Sequence, residues 1–178
     1  MHPRLVEITG YLATVRADVT RELAPCTPEQ LHRTSGTNRW SAAQVVEHLG
    51  RVEGSTAKLL EGLFARAMEG GGLPEDHETS SLLGSLDRWN VTSRRSRIEA
   101  PERLVPSPRP DFAVAWASLQ KARERTLAVV ASVDGRDLTR VSFKHPVLDE
   151  FNGYEWILFI GQHEARHLDQ MREALHGR

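Results

Sequence analysis

The sequence predicts an all-α fold, a four-helix bundle with a long crossover connection between its second and third helices. Three observations carry this. Apolar residues recur at three- and four-residue steps along four separate stretches. No long segment alternates apolar and polar residues at the period of a strand; the one plausible extended piece is Arg140–Lys144. The stretch 70–110 is rich in Gly, Pro, Ser and charge, and can carry the chain from one end of a bundle to the other.

The first helix is expected from about Leu5 to Leu23, with Leu5, Ile8, Leu12, Val15, Val19 and Leu23 on one face and Pro25 stopping it. Thr27, Pro28 and Gln30 then form the start signal of a short helical turn. In the second helix Ser41 caps, Gln44 completes the capping box, and Trp40 can staple onto Val45. Its inner stripe reads Val45, His48, Leu49, Val52, Thr56, Leu59, Leu60 and Leu63, and it ends in the glycines before Pro74. One short helix is expected around 81–89 within the long connection. The third helix starts near Asp111 and presents Phe112, Trp116, Leu119, Thr126, Val130 and Val133, ending at Asp134-Gly135. The fourth runs from about Asn152 to Leu175, with Trp156, Ile160, His163, His167, Gln170 and Ala174 as its seam. Short connections make helices 1 and 2, and 3 and 4, antiparallel. The long one lets 2 and 3 run parallel, so 2 and 4 oppose each other.

The 178 residues suit one domain spanning 1–178. Apolar residues at 39%, charged residues at 26% and a net charge of -1 give ordinary globular composition with no sign of a nucleic-acid partner. Arg94, Arg95 and Arg97 cluster, but acidic neighbours make this a solvated loop patch. A single cysteine, Cys26, excludes an intramolecular disulfide and fits a reducing cytoplasm; with no histidine nearby in sequence, an inert thiol is favoured over a catalytic one. No apolar core of signal-peptide length and no membrane-spanning run is present, so a cytoplasmic protein with no membrane partner is expected.

His163 and His167 stand four apart on a helix, one turn or ~6 Å apart on one face, a spacing that lets two imidazoles bind one metal ion. His48 lies on the inner stripe of the second helix, ~10 Å from its start, and the two others lie ~15 Å from the end of the fourth helix at ~1.5 Å per residue. In antiparallel helices these heights nearly match, so three inward histidines meet at one level. Lone buried histidines are commonly just hydrogen-bonded core residues; three at one level are harder to leave unpaired in a dry core, and a metal satisfies all of them. The remaining histidines, including His145 in the loop entering the fourth helix at the end away from the metal, read as solvated.

The string from His163 to His167, HEARH, spells the helix signature of zinc metalloproteases. The longer protease pattern needs glycine and histidine where this chain has Gln170 and Glu173, and no later helix is at hand for a glutamate ligand, so a zincin protease is not expected. Glu164 lies about 100° round the helix from His163. It is a candidate to support the metal site from behind its ligands, with a surface salt bridge as the more usual role.

The segments WSAAQVVEHLGRVE at 40–53 and HPVLDEFNGYEWILFIGQHEARHLDQMRE at 145–173, with the long connection between helices 2 and 3, resemble the DinB-like (DinB/YfiT) superfamily. The resemblance spans nearly the whole chain. It implies a four-helix bundle in which three histidines bind a divalent metal, reported as zinc or nickel among others. Carried to this sequence, those positions are His48, His163 and His167. The family includes thiol-dependent enzymes, among them S-transferases using bacillithiol and a mycothiol-dependent isomerase, in which the metal is thought to activate the thiol.

Three neutral ligands leave at least one coordination position open, the arrangement of a catalytic metal. Bound water or thiol would be acidified there, so the catalytic group is one of those two and is not fixed by the sequence. The leading expectation is a metal-dependent enzyme transferring a low-molecular-weight thiol to a small electrophile. A metal-dependent hydrolase, a non-catalytic stress-related metal-binding bundle and a metal-free bundle that dimerises are the alternatives. Phe112 and Trp116, early in the third helix, are candidate pocket walls or plain core. The run Trp156–Ile160 is apolar on all sides; its surplus suits either a homodimer partner or the long connection.

Overall fold

The computed structural model describes residues 1–94 and 99–177. Among these residues five α-helices occur in order: α1 (Pro3–Leu23), the single turn α2 (Pro28–Leu31), α3 (Ala42–Glu69), α4 (Phe112–Ser132) and α5 (Gly153–His176). The four long ones form the bundle. The start signals at Thr27 and Ser41 act as expected, each capping a helix through a full capping box with Gln30 and Gln44, and Asn152 caps α5 the same way with Glu155. Helix α1 begins two residues earlier than its apolar stripe, at Pro3, because proline is tolerated in a first turn.

Contacts fix the directions. Gly50 and Gly54 of α3 lie against Leu119 and Ala122 of α4, so these helices run parallel. Phe64 of α3 meets Gly153 of α5, while His48 meets His167, so α3 and α5 run antiparallel. Tyr11 and Leu12 meet Gly161, and Glu22 meets Arg172, so α1 and α5 are parallel. Gly161 is what permits that last approach. A Cβ there would lie 2.9 Å from the Tyr11 ring and 3.0 Å from Leu12.

Two elements differ from expectation. The segment 81–89 forms only a 3-10 turn over Asp87–Trp89, ended by Asn90 in the left-handed region (φ 51). The stretch before α5 is a hairpin, β1 (Ser142–Lys144) paired antiparallel to β2 (Glu150–Asn152), with Phe143 opposite Phe151. The extended reading of 140–144 found one strand and missed its partner, whose three residues show no alternation on their own.

The long connection is a packed layer. Leu73, Leu86 and Val91 enter the core, and Leu82, Trp89 and Leu104 pack onto it. Asp76, 7% exposed, pins the connection to α1 and α5 by accepting hydrogen bonds from Arg4 (3.3 Å) and the Tyr154 hydroxyl. Trp156 to Ile160 are all buried in this same core. Their apolar surplus is covered by the connection and the hairpin. Among the described residues no helix is long and apolar enough to cross a membrane. Arg94 pairs with Glu173 at 2.5 Å, whereas Arg95 and Arg97 lie outside the described residues.

Candidate metal centre

His48 stands on α3, and His163 and His167 stand one turn apart on α5. Their antiparallel packing brings all three together, with one ring nitrogen from each within 4.8 Å of the others. His163 Nε2 and His167 Nε2 are 3.2 Å apart. Two nitrogens held ~2.0–2.1 Å from a tetrahedral ion stand about 3.3 Å apart, so this pair already has the spacing of two ligands.

The other ring nitrogens show why the lone pairs converge. His48 Nδ1–H donates to the Leu104 carbonyl at 2.8 Å, and His167 Nδ1–H donates to Gln170 Oε1 at 2.8 Å. Both Nδ1 atoms therefore carry the proton, and both Nε2 atoms present a lone pair. These two lone pairs face His163 Nε2, and a shared cation, or a proton on His163 Nε2, offsets their repulsion. The donor set fits a divalent ion such as zinc or nickel.

Electrostatics keep the set neutral, the form a metal needs. Burial, above all, lowers each imidazole: His48 below its usual range despite its backbone hydrogen bond, His163 well below it, and His167 to about 3. For His167 the neighbouring His48 adds to burial, and Arg166 and Arg94 contribute further.

Trp40, just before the Ser41 cap, covers one side of the centre. Its ring centroid is 4.8 Å from that of His48 and 6.3 Å from that of His167, nearly stacked on the latter. Sequence reasoning gave Trp40 only a stapling role. On the other side, a cavity of about 10 Å³ is lined by Leu49, Val52, Glu53, Ile160, His163 and Glu164. Phe112 and Trp116 are not among those residues. They are half-buried, stack on one another (centroids 6.3 Å, 15°), and pack against the core cluster that holds Leu49 and Leu119.

Glu164 is not at the surface; it is 2% exposed. It accepts hydrogen bonds from Arg16 Nε and from Arg123 Nη2 (2.7 Å), while Glu53 accepts from Arg16 (2.9 Å), Arg123 Nε (2.6 Å) and Thr126 (3.1 Å). Each long helix thus contributes one charge to a closed, neutral ring buried in the bundle. The ring was legible in principle. Arg16 follows Leu12 by four and precedes Val19 by three; Glu53, Arg123 and Glu164 hold the same place after Leu49, Leu119 and Ile160. A charge at core phase on every helix is the signal of a buried network.

His145 also departs from expectation. Its Nδ1 accepts from the backbone N–H of Val147 (3.2 Å) and Leu148 (3.1 Å), and its ring packs against Phe151, Trp156 and Phe159. Phe159 in turn packs on His163. His145 is therefore half-buried and one ring removed from the centre, because the unforeseen hairpin folds back over α5. Burial lowers its pKa to about 4. Cys26 is partly buried, and burial followed by the Glu22 carboxylate raises its thiol pKa.

A family model described as the DinB superfamily matches residues 11–171. YuaE of Bacillus subtilis (strain 168), named as an uncharacterized protein, is 29% identical over 158 residues, covering 89% of this chain and 91% of that one. The crystal structure of TT2238, a four-helix bundle protein, matches with a TM-score of 0.64 and 22% identity over 94% of this chain and 98% of that one. That similarity bears on the fold.

Proposed function

The chain belongs to the DinB superfamily, and from that premise and the histidine geometry we propose that it is a divalent-metal-dependent enzyme transferring a low-molecular-weight thiol to a small electrophile. The observation that carries this reading is the convergence of His48, His163 and His167, two of them with Nδ1 already committed to protein acceptors. A divalent ion held by these three neutral imidazoles would act as a Lewis acid and lower the pKa of a thiol at its remaining coordination position.

The protein's own side chains do the rest. Leu104 and Gln170 fix the rotation of two imidazoles, and burial keeps all three unprotonated. Trp40 shields one flank from water. Cys26, with its raised pKa, is a poor source of thiolate, so the thiol comes from solution. The thiol sulfur bonds to the electrophilic carbon as the leaving group departs with its electron pair, and the thiol proton passes to solvent. A reducing cytoplasm supplies such thiols, and the unpaired cysteine fits that setting.

The experiment has two stages. Protein purified without chelators or a metal column is analysed for metal, and one equivalent of a divalent ion, zinc or nickel, is expected. Low-molecular-weight thiols are then offered with a halogenated aromatic. Thiol-dependent halide release that disappears in His163→Ala supports the proposal. Substoichiometric metal, or turnover unaffected by His48→Ala, rejects it. Turnover without thiol identifies a hydrolase instead.

A further inference from the structure

His48 and His167 place their Nδ1 protons on acceptors of different kinds. That of His167 is Gln170, one turn further along the same helix, so helix geometry alone brings it there. That of His48 is the Leu104 carbonyl, 56 positions away in the long connection. Past the 3-10 turn Glu102–Leu104 the connection belongs to no helix or strand until α4. Something else must hold this carbonyl at 2.8 Å from the imidazole.

The segment 105–110 reads VPSPRP. Each proline restricts the residue before it to extended backbone, and Val105 is extended (φ -67, ψ 128). The same prolines remove every second N–H, so the segment cannot build a helix or a strand ladder of its own. Its polar groups go instead to one face of α3, where Gln44, Glu47, His48 and Arg51 stand at helical spacing. Gln44 Nε2 donates to the Ser107 carbonyl at 3.1 Å, and Arg51 donates to the Val105 carbonyl. Ser107 N–H donates to Glu47 Oε2 at 2.6 Å; its hydroxyl donates to Glu47 Oε1 at 3.0 Å and accepts from Arg51 Nη2 at 3.2 Å. Arg51 closes the clamp by donating to Glu47 Oε1 at 2.8 Å.

We propose that Ser107, held by Glu47 and Arg51, is a positioning residue for His48: it keeps the Leu104 carbonyl on Nδ1–H and so sets how tightly the three histidines bind a divalent ion. The inference rests on the metal reading above. An imidazole whose Nδ1–H is held by an acceptor is fixed in rotation and is a more basic ligand at Nε2. Ser107 acts at one remove, through the backbone it anchors. The dependence runs both ways, because two coupled equilibria change each other by one factor. When Nε2 ligates a cation, Nδ1–H becomes a stronger donor and draws the connection onto α3.

Zinc affinity against a competing chelator tests this without reference to turnover. Ser107→Ala removes two hydrogen bonds and no charge, keeps the N–H, and weakens zinc binding about 2- to 30-fold. Ser107→Thr keeps the hydroxyl and restores the affinity. Leu60→Ala opens core space elsewhere on α3 and lowers stability, yet binds zinc as the parent does. A second readout needs no variant. Zinc slows hydrogen exchange of the Ser107 amide in the parent more than that of the Glu78 amide, which is bonded to Asp76 elsewhere in the connection. The inference is overturned if Ser107→Ala binds zinc as tightly as the parent, if Ser107→Thr binds as weakly as Ser107→Ala, if Leu60→Ala weakens binding equally, or if zinc slows neither amide or both alike. A parent protein that binds no metal overturns the metal reading itself, a different result.

Discussion

Arg123 of α4 and Glu164 of α5 form an ion pair at 2.7 Å inside the bundle, beside the candidate metal ligand His163. Burying charges is costly, and this pair is tolerated because Arg16 and Glu53 close the ring with opposite signs and every guanidinium nitrogen involved finds an oxygen. Arg123 also donates to the Leu12 carbonyl at 2.9 Å, tying α4 to α1.

Arg123→Met therefore strands buried carboxylates with one guanidinium between them. Removing one partner of a buried pair costs about 3–5 kcal/mol. Urea unfolding should show that loss as a lower midpoint. A midpoint within error of the parent would mean that the ring is not closed in solution.

Gln170→Leu removes the acceptor of His167 Nδ1–H while keeping a side chain of similar size on the half-buried edge of α5. With the imidazole free to rotate or to adopt the other tautomer, metal affinity should fall about 10- to 100-fold with the helical signal unchanged. Chelator competition followed by zinc titration reads this directly.

The metal-stripped protein should lose stability as pH falls below about 6.5. Burial, the main cause, holds His167 at about 3 and His145 at about 4 in the folded chain, whereas the unfolded chain protonates them at ordinary values. Between those limits the unfolded state binds more protons, so falling pH favours it. For His167 alone the slope is about 1.4 kcal/mol per pH unit while the folded imidazole stays neutral. Ring-proton NMR should find both imidazoles unprotonated at pH 5, and denaturant midpoints should drop from pH 6.5 towards pH 4. An imidazole titrating near 6.5 in the folded state would contradict the burial assigned to it.

Gly161→Ala places a methyl 2.9 Å from the Tyr11 ring, closer than a Cβ can sit. Either α1 moves or the ring leaves its rotamer, at about 1–3 kcal/mol. Thermal unfolding should register the loss, while metal content remains at the parent value because His163 keeps its helix. Gly62→Ala, where nothing lies within 4 Å, serves as the comparison and should not be destabilised.

Local signals told most of the fold. Capping boxes at Thr27 and Ser41, the apolar stripes and the glycines after α3 are short-range patterns, and a short-range pattern is readable from one strand of text. The same holds for His163 and His167, whose adjacency follows from helix pitch alone, and for His48, whose height follows from counting along two antiparallel helices. What the sequence could not determine involves partners far apart in the chain. Glu164 stands at core phase, but its arginine partners lie 148 and 41 positions away and no local pattern names them. His145 looked solvated because nothing local announces that β2 will pair with β1 and lay the loop over Phe159. Trp40 read as a staple, and only the meeting of α3 and α5 sets its ring against two imidazoles. Periodicity determines which face of a helix turns inward; which charge or ring it meets there depends on how the helices pack, and that was decided by the tertiary structure.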